Sequence, residues 1–173
     1  MEVAVAFAAP ETEVAPQAEP TAQNDYETER GKPMPSTNHA AIQSNLVFEI
    51  RAKYGKKFRL LSELSLELDG KPSVPDVSAY PFFPLNLEAD TIRRTDPPLL
   101  TVEILSPTQA LTTLVDKAAE YLRAGVASAW VVIPEMEAIA VYHAPGKYDF
   151  FKDDDLLKDP KTGIEIPLAQ IFQ

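Results

Sequence analysis

Two carboxylates interrupt stretches of this sequence that are otherwise apolar. Glu103 lies in the middle of the run 99–105, and Asp76 follows Pro75 at the start of a second short apolar segment. Burying a carboxylate without a partner is too costly, so each must be paired with a cation, protonated or bound to a metal ion. If the two segments form neighbouring strands, both carboxylates face a common point. Two carboxylates with water and a substrate phosphate are typical ligands of Mg²⁺.

A cation on the following helical segment could complete such a site. Lys117 lies at the edge of an apolar stripe, from which it could stabilise charge on a phosphate or orient a water. Ideal strand and helix dimensions leave Glu103 and Lys117 only about 6 Å apart along the strand direction. Simpler alternatives stay open. Glu103 could belong to a buried salt bridge or lie at a strand end open to solvent, and Lys117 could snorkel to solvent.

The segment that must position these side chains covers residues 99–134 and reads as strand, helix and strand. Its first run is apolar on both faces, as in a central strand. Ser106, Pro107 and Gln109 predict the helix start, as N-cap, first helical residue and capping box. Gly125 predicts the helix end. Two strands joined in this way predict a right-handed parallel crossover. The predicted apolar stripe consists of Leu111, Leu114, Val115, Ala118 and Leu122.

A second helix is predicted upstream, over residues 39–53, with a choice of N-caps before it and Gly55 after it. Its apolar stripe consists of Ile42, Leu46 and Ile50. His39 lies on the same stripe one turn earlier, and we therefore expect it to face inward.

Short strands are predicted around these elements, and the Pro-rich residues 81–98 form a long excursion without a period. The predicted strands cover residues 57–61, 64–68, 74–80, 138–143 and 146–151, and residues 163–172 are expected to form a final strand and a short helix. The predicted fold class is α+β. It consists of a mixed sheet of roughly six or seven strands with one helix before it and one across it.

Composition limits the domain count and the compartment. The 173 residues suffice for one domain with a sizeable core, and the lack of cysteine excludes disulfides and thiolate metal sites. Residues 1–24 are rich in Ala and Pro, contain four glutamates and lack Lys and Arg, which predicts a disordered acidic tail before a domain over 25–173. We found neither a transmembrane-length apolar run nor the basic start of a signal peptide, and we expect a cytoplasmic protein.

Several of these residues belong to a larger pattern. It comprises Pro75-Asp76, the run Val102-Glu103-Ile104-Leu105-Ser106-Pro107, Lys117 with Tyr121, Gly125-Val126 and Trp130-Val131-Val132, and it extends to Tyr26-Glu27, Gly31, His39 and Ile166-Pro167-Leu168. This pattern resembles the small putative restriction endonuclease family of the PD-(D/E)XK nuclease superfamily. The resemblance covers about residues 25–172.

The resemblance implies a restriction-endonuclease-like fold and metal-dependent hydrolysis of DNA phosphodiesters. Asp76 and Glu103 would hold Mg²⁺ or Mn²⁺. The superfamily pattern has a lysine two residues after the glutamate, where this chain has Leu105, and Lys117 matches the position on the next helix from which the small family often supplies it. Glu27 and His39 match family positions near the site.

DNA as a substrate requires a basic surface, although the net charge of −10 argues against a protein that coats nucleic acid. A basic cluster comprises Arg51, Lys53, Lys56, Lys57 and Arg59, and these cations could contact phosphates or complement the dipole of the preceding helix. Arg93 and Arg94 are a second candidate. Cleavage of both strands is simplest with two sites related by a two-fold axis, so a homodimer is expected. The antiparallel edge after Trp130 or the apolar part of residues 80–83 could supply its contact.

Two other functions are compatible with the sequence. One is a catalytically inactive nuclease-fold module that acts in binding or protein interaction, favoured by Leu105 and by the acidic balance. The other is a soluble domain in which Glu103 is only ion-paired.

Overall fold

The computed structural model describes residues 35–173 of the 173-residue chain. The predicted acidic tail over 1–24, the predicted domain start at residue 25 and the candidate Glu27 lie outside the described residues.

The elements follow one another in an order close to the predicted one. They are α1 (Thr37–Tyr54), β1 (Phe58–Ser62), β2 (Ser65–Leu68), β3 (Lys71–Ser73), β4 (Val77–Pro81), β5 (Arg93–Arg94), β6 (Leu100–Ile104), α2 (Leu111–Arg123), β7 (Ser128–Ile133), β8 (Ala138–Ala144), β9 (Lys147–Lys152), β10 (Leu156–Lys158) and β11 (Glu165–Pro167). Short 3₁₀ turns cover Pro134–Met136 and Leu168–Gln170. No helix within residues 35–173 is long and apolar enough to cross a membrane.

A six-stranded mixed sheet with the order β1-β4-β6-β7-β8-β9 forms the centre of the fold. Within it β6 and β7 are parallel and joined through α2, whereas the other neighbours are antiparallel. A crossover helix is needed because parallel neighbours cannot be joined by a tight turn. The predicted mixed sheet and strand–helix–strand unit are therefore confirmed. Two smaller sheets, β3-β2-β5 and β10-β11, lie beside it.

Each face of the central sheet is covered by one helix. The predicted stripe of α1 is buried at Ile42, Leu46 and Ile50 and packs in one apolar cluster with β6 and β7 residues such as Val102 and Trp130. On the opposite face α2 packs over β7 and β8. Because both faces are covered, every residue of β6 and β7 is buried, which is why these strands read as unbroken apolar runs.

The predicted start of α2 is wrong. The helix begins at Leu111, and the N-cap position is held by Ala110 without a side-chain cap. Ser106 and Gln109 instead close a turn, in which the Gln109 N–H donates to the Ser106 carbonyl at 2.9 Å. The Leu105 N–H still donates to a β7 carbonyl, so the chain remains in the sheet up to this residue. Residues 106–110 are therefore needed to connect the sheet to the helix layer.

This shift also changes the buried stripe of α2. Leu111 is 39% exposed, whereas Leu114, Ala118 and Tyr121 are buried. The predicted helix end is confirmed, since Gly125 follows with a φ of 96° that favours glycine.

Three short strands were not predicted from the sequence. Residues 71–73 form a separate β3, which pairs with β2 across a turn at Asp69-Gly70, and β4 begins only at Val77. The strand β5 lies within the excursion 81–98 and pairs with β2, and β10 pairs with β11, which falls in the predicted final strand. The three strands have two or three residues each, too few to establish a period of two.

Candidate active site

Glu103 lies at the centre of the main sheet, on β6, with only 3% of its surface exposed. The hydroxyl of Tyr121 donates to its Oε1 at 2.7 Å, and Lys117 Nζ lies 3.5 Å from the same oxygen. Tyr121 and Lys117 are four residues apart on α2, so both project from one helix face toward the strand. The Lys117 side chain is 23% exposed, so this cation lies between the buried carboxylate and the protein surface.

Asp76 immediately precedes β4 and is 1% exposed. Val77 pairs with Val102 in the antiparallel ladder of β4 and β6, which brings Asp76 beside Glu103 on the neighbouring strand. Its Oδ2 accepts the Ile104 N–H at 2.7 Å, so the carboxylate is bonded directly to the backbone of β6.

The first two turns of α1 also contact Asp76. His39 Nε2 lies 3.2 Å from Asp76 Oδ2, and Gln43 Nε2 donates to the Asp76 main-chain carbonyl at 3.0 Å. The Glu63 N–H donates to the same carbonyl at 3.1 Å. The expectation that His39 faces inward is confirmed, since the residue is buried.

Both carboxylates influence the ionisation of the Tyr121 phenol. Burial raises the pKa of the Tyr121 phenol well above its usual value, the negative charge of Glu103 raises it further, and Asp76 adds to the rise. Ser73 nearby has the opposite effect. The phenol therefore keeps its proton at neutral pH and serves Glu103 as a fixed hydrogen-bond donor.

A small cavity of about 210 Å³ opens on the other side of Tyr121, between α2 and the β2–β3 hairpin. Lys71 and Arg123 line it, and Lys71 Nζ lies 3.0 Å from Glu120 Oε1. Asp69 and Glu120 line the same cavity, so its walls carry charges of both signs.

The basic cluster lies at the opposite end of α1 from His39. At 1.5 Å per residue, the fourteen residues from His39 to Lys53 span about 20 Å. Lys53 donates to the Glu165 carbonyl at 2.9 Å and Lys57 to the Thr162 carbonyl at 2.7 Å. Arg59 donates to the Phe83 carbonyl at 2.7 and 3.1 Å. Three of its five cations thus hold neighbouring segments of the chain, and Arg51 and Lys56 are exposed.

The second pair of candidate DNA-binding cations is ion-paired. Arg93 lies 3.0 Å from Glu67, and Arg94 forms a bidentate pair with Asp96 and stacks on the Tyr80 ring. These contacts are those of cations that brace the excursion between β4 and β6.

The donor set permits a small hard cation. Within the described part of the chain, no group of three or more His, Asp and Glu side chains is arranged to hold a metal. Asp76 and Glu103 nevertheless offer carboxylate oxygens from neighbouring strands, which are the ligands that Mg²⁺ prefers when it keeps several waters. The two residues fit such an ion better than one that requires a cage made only of protein ligands.

Sequence reasoning missed two side chains at this site. Tyr121 entered only through the resemblance, although its spacing of four residues from Lys117 was visible. Gln43 was not considered, although it follows His39 at the same spacing. A polar side chain four residues from another candidate, on a helix that covers the sheet, is the signal that could have found both.

The comparisons with known proteins agree with this geometry. The Uma2 family model, described as "Putative restriction endonuclease", matches residues 22–168, and the chain belongs to this family. A crystal structure of a "putative nuclease belonging to DUF820" from Anabaena variabilis is 26% identical, with a TM-score of 0.71 over 81% of this chain and 83% of that chain. The fold is therefore restriction-endonuclease-like.

More distant comparisons add little. A cryo-EM structure of a DrdV–DNA complex matches 87% of this chain and 12% of that chain, at 14% identity and a TM-score of 0.43, which is too distant to support an inference. No curated protein sequence matches the chain.

The Tyr121 hydroxyl is expected to stabilise the fold. Tyr121→Phe should lower the free energy of unfolding by about 1.5–3 kcal/mol, because a buried carboxylate loses a hydrogen bond. The phenol pKa is higher in the folded state than in the unfolded state. The difference in free energy of unfolding between wild type and variant should therefore have its full size below pH 10 and become smaller as the pH rises above 10. Urea unfolding at pH 8 and pH 11 measures both effects.

Tyr142→Phe is the matched control, because Tyr142 is also buried but its hydroxyl makes no hydrogen bond with a described residue. Its expected change at pH 8 is below about 0.5 kcal/mol. Equal losses in the two variants would contradict the assignment of a specific role to the Tyr121 hydroxyl.

Proposed function

We propose that this protein is a metal-dependent endodeoxyribonuclease that hydrolyses DNA phosphodiesters. The observation that carries the proposal is the placement of Asp76, just before β4, beside Glu103 on the neighbouring strand β6, with Lys117 Nζ 3.5 Å from Glu103. Membership of a family described as "Putative restriction endonuclease" supports the same reaction class.

Asp76 and Glu103 are the residues that would hold Mg²⁺ or Mn²⁺. When bound, such an ion supplies positive charge at the phosphate and a water that loses its proton more easily. Lys117 keeps an ammonium group beside Glu103, where it stabilises developing negative charge on a phosphate oxygen or orients the attacking water. It thereby takes the role of the lysine that the superfamily pattern has at the position of Leu105.

The DNA strand follows the partly exposed side of the site. Lys71 and Arg123 line the cavity beside Tyr121 and contact backbone phosphates there. Arg51 and Lys56 of the basic cluster, toward the other end of α1 from His39, contact a more distant part of a long duplex. Phosphate contacts of this kind position the substrate without reading its sequence.

A catalytically inactive binding module is the second candidate. It is favoured by the burial of both carboxylates and by the donors that they already have, namely Tyr121 for Glu103 and the Ile104 N–H for Asp76. In such a protein the same contacts only stabilise the sheet. The two candidates differ in their response to metal ions and in DNA cleavage.

Cleavage of supercoiled plasmid tests the reaction. With Mg²⁺ or Mn²⁺ the wild type nicks the plasmid, and Asp76→Asn and Lys117→Ala each lose about 10²-fold or more in rate, as expected when a charged group that stabilises the transition state is removed. Gel quantification of the nicked form gives the rates, and EDTA should abolish them.

Lys53→Ala is the control, since Lys53 lies at the far end of α1 and bonds a main-chain carbonyl. It should cleave within about threefold of wild type. If Lys117→Ala cleaves as fast as wild type, Lys117 is not the catalytic lysine, and if wild type cleaves with neither metal, the inactive module is favoured.

Thermal melts separate a metal site from a structural ion pair without any substrate. Glu103→Gln keeps an acceptor for Tyr121 and removes the repulsion from Asp76, so its metal-free stability should lie within about 1 kcal/mol of wild type. Mn²⁺ should raise the Tm of wild type through linkage and leave that of the variant unchanged. A purely structural pair predicts a loss of about 3–5 kcal/mol and no response to Mn²⁺ in either protein.

The proposal includes a homodimer that provides one site for each DNA strand. The strand β9 is the outer strand of the main sheet, and its Tyr148 and Phe150 are large, exposed apolar residues. An unpaired strand edge with exposed aromatic residues is suited to pairing with a second copy.

Light scattering at micromolar concentration should therefore give twice the monomer mass, and Phe150→Lys should give the monomer. If light scattering gives only the monomer mass for the wild type, with DNA absent or present, this dimer is ruled out. Phe48→Lys, a change at another exposed aromatic residue, is the control and should not alter the mass.

A further inference from the structure

We propose that His39 and Gln43 are positioning residues that hold Asp76 in the orientation in which it binds a metal ion. The inference rests on the proposed function. It assigns to α1 a role in the chemistry beyond its apolar packing, with a specific atom, His39 Nε2, as the group that carries it.

Asp76 is contacted by residues from several elements of the fold. Oδ2 is 2.7 Å from the Ile104 amide nitrogen on β6 and 3.2 Å from His39 Nε2 on α1. Its main-chain carbonyl accepts from Gln43 Nε2 and from the Glu63 N–H. Both the carboxylate and the backbone of this one residue are therefore fixed.

His39 and Gln43 reach Asp76 together because they are one turn apart on α1. The helix is itself fixed at this end, since the Ser36 side chain accepts the His39 N–H at 3.3 Å as the N-cap. On the same face Ile42 and Leu46 are buried in the core. The two polar side chains are thus held by a rigid, packed helix rather than by a loop.

Such fixation is needed because Asp76 is buried next to a like charge. A carboxylate beside Glu103 would otherwise turn away from it, and the pair would have to be reorganised each time a metal binds. Groups that hold a ligand in place before binding remove that reorganisation and strengthen metal affinity, and their loss typically costs 10–100-fold in affinity or activity.

The two ring nitrogens of His39 are not equivalent. Nε2 faces Asp76, whereas Nδ1 is buried and has no hydrogen-bond partner among the described residues. The tautomer that carries its proton on Nε2 satisfies Asp76 and leaves only an acceptor without a partner. The inference therefore requires a hydrogen-bond donor at the position of Nε2, and it requires no polar group at the position of Nδ1, which is nearer the backbone.

Glutamine and asparagine each place an amide nitrogen near one of these two positions. His39→Gln places an amide nitrogen near the position of Nε2, and His39→Asn places one near that of Nδ1. The apparent Mn²⁺ affinity is measured from the Tm as a function of Mn²⁺ concentration, and plasmid nicking is measured in parallel. We expect His39→Gln to stay within about threefold of wild type and His39→Asn to lose about 10–100-fold in both measurements.

Gln43→Met tests the second contact, since it keeps the length of the side chain and removes the donor. The expected loss of Mn²⁺ affinity is smaller, about three- to tenfold, because Glu63 still donates to the same carbonyl. Ser44→Ala is the control on the same helix, because Ser44 bonds only the Ala40 carbonyl within α1. Its Mn²⁺ affinity and nicking rate should equal those of wild type.

The outcomes separate this inference from the function on which it rests. If wild type neither responds to Mn²⁺ nor nicks DNA, the proposed function fails. If wild type does both, and His39→Gln and His39→Asn lose the same amount or lose only metal-free stability, His39 is a structural residue and the positioning role is wrong.

Discussion

The structure depends on the burial of two carboxylates side by side in an apolar sheet. Asp76 immediately precedes β4 and Glu103 lies on the adjacent strand β6, and both are almost fully buried. In this environment each charge must be compensated by donors within about 3 Å. The donors come from outside the sheet on each of its two faces and from the backbone of β6, so the helices and the sheet are tied together at this point.

Both helices supply these donors through the same arrangement of side chains. Each carries an apolar stripe that covers one face of the sheet and a pair of polar side chains, four residues apart, that contact one of the two acidic residues. On α1 the pair is His39 and Gln43, and on α2 it is Lys117 and Tyr121. Packing of the stripes therefore determines the geometry of the site, because a shift of either helix would move its polar pair.

The positive charge near Glu103 comes from a helix and not from the strand that carries the carboxylate. Leu105 follows Glu103 by two residues and packs with the α2 cluster, so that part of the sheet is apolar. The positive charge comes instead from Lys117, whose Nζ reaches Glu103 from the helix above. An ammonium group acts through its position, and the element that carries it matters less than the distance it reaches.

The sequence by itself determined the elements whose signals are local. These include the α1 stripe, the central strand–helix–strand unit, the helix end at Gly125 and the two carboxylates in apolar strands. Only the tertiary structure decided where α2 begins, because the path from sheet to helix layer overrides a local capping pattern. It also decided that three cations of the basic cluster bond main-chain carbonyls of neighbouring segments and that Gln43 reaches Asp76. Such relations join residues distant in sequence, and they follow from how the helices pack on the sheet.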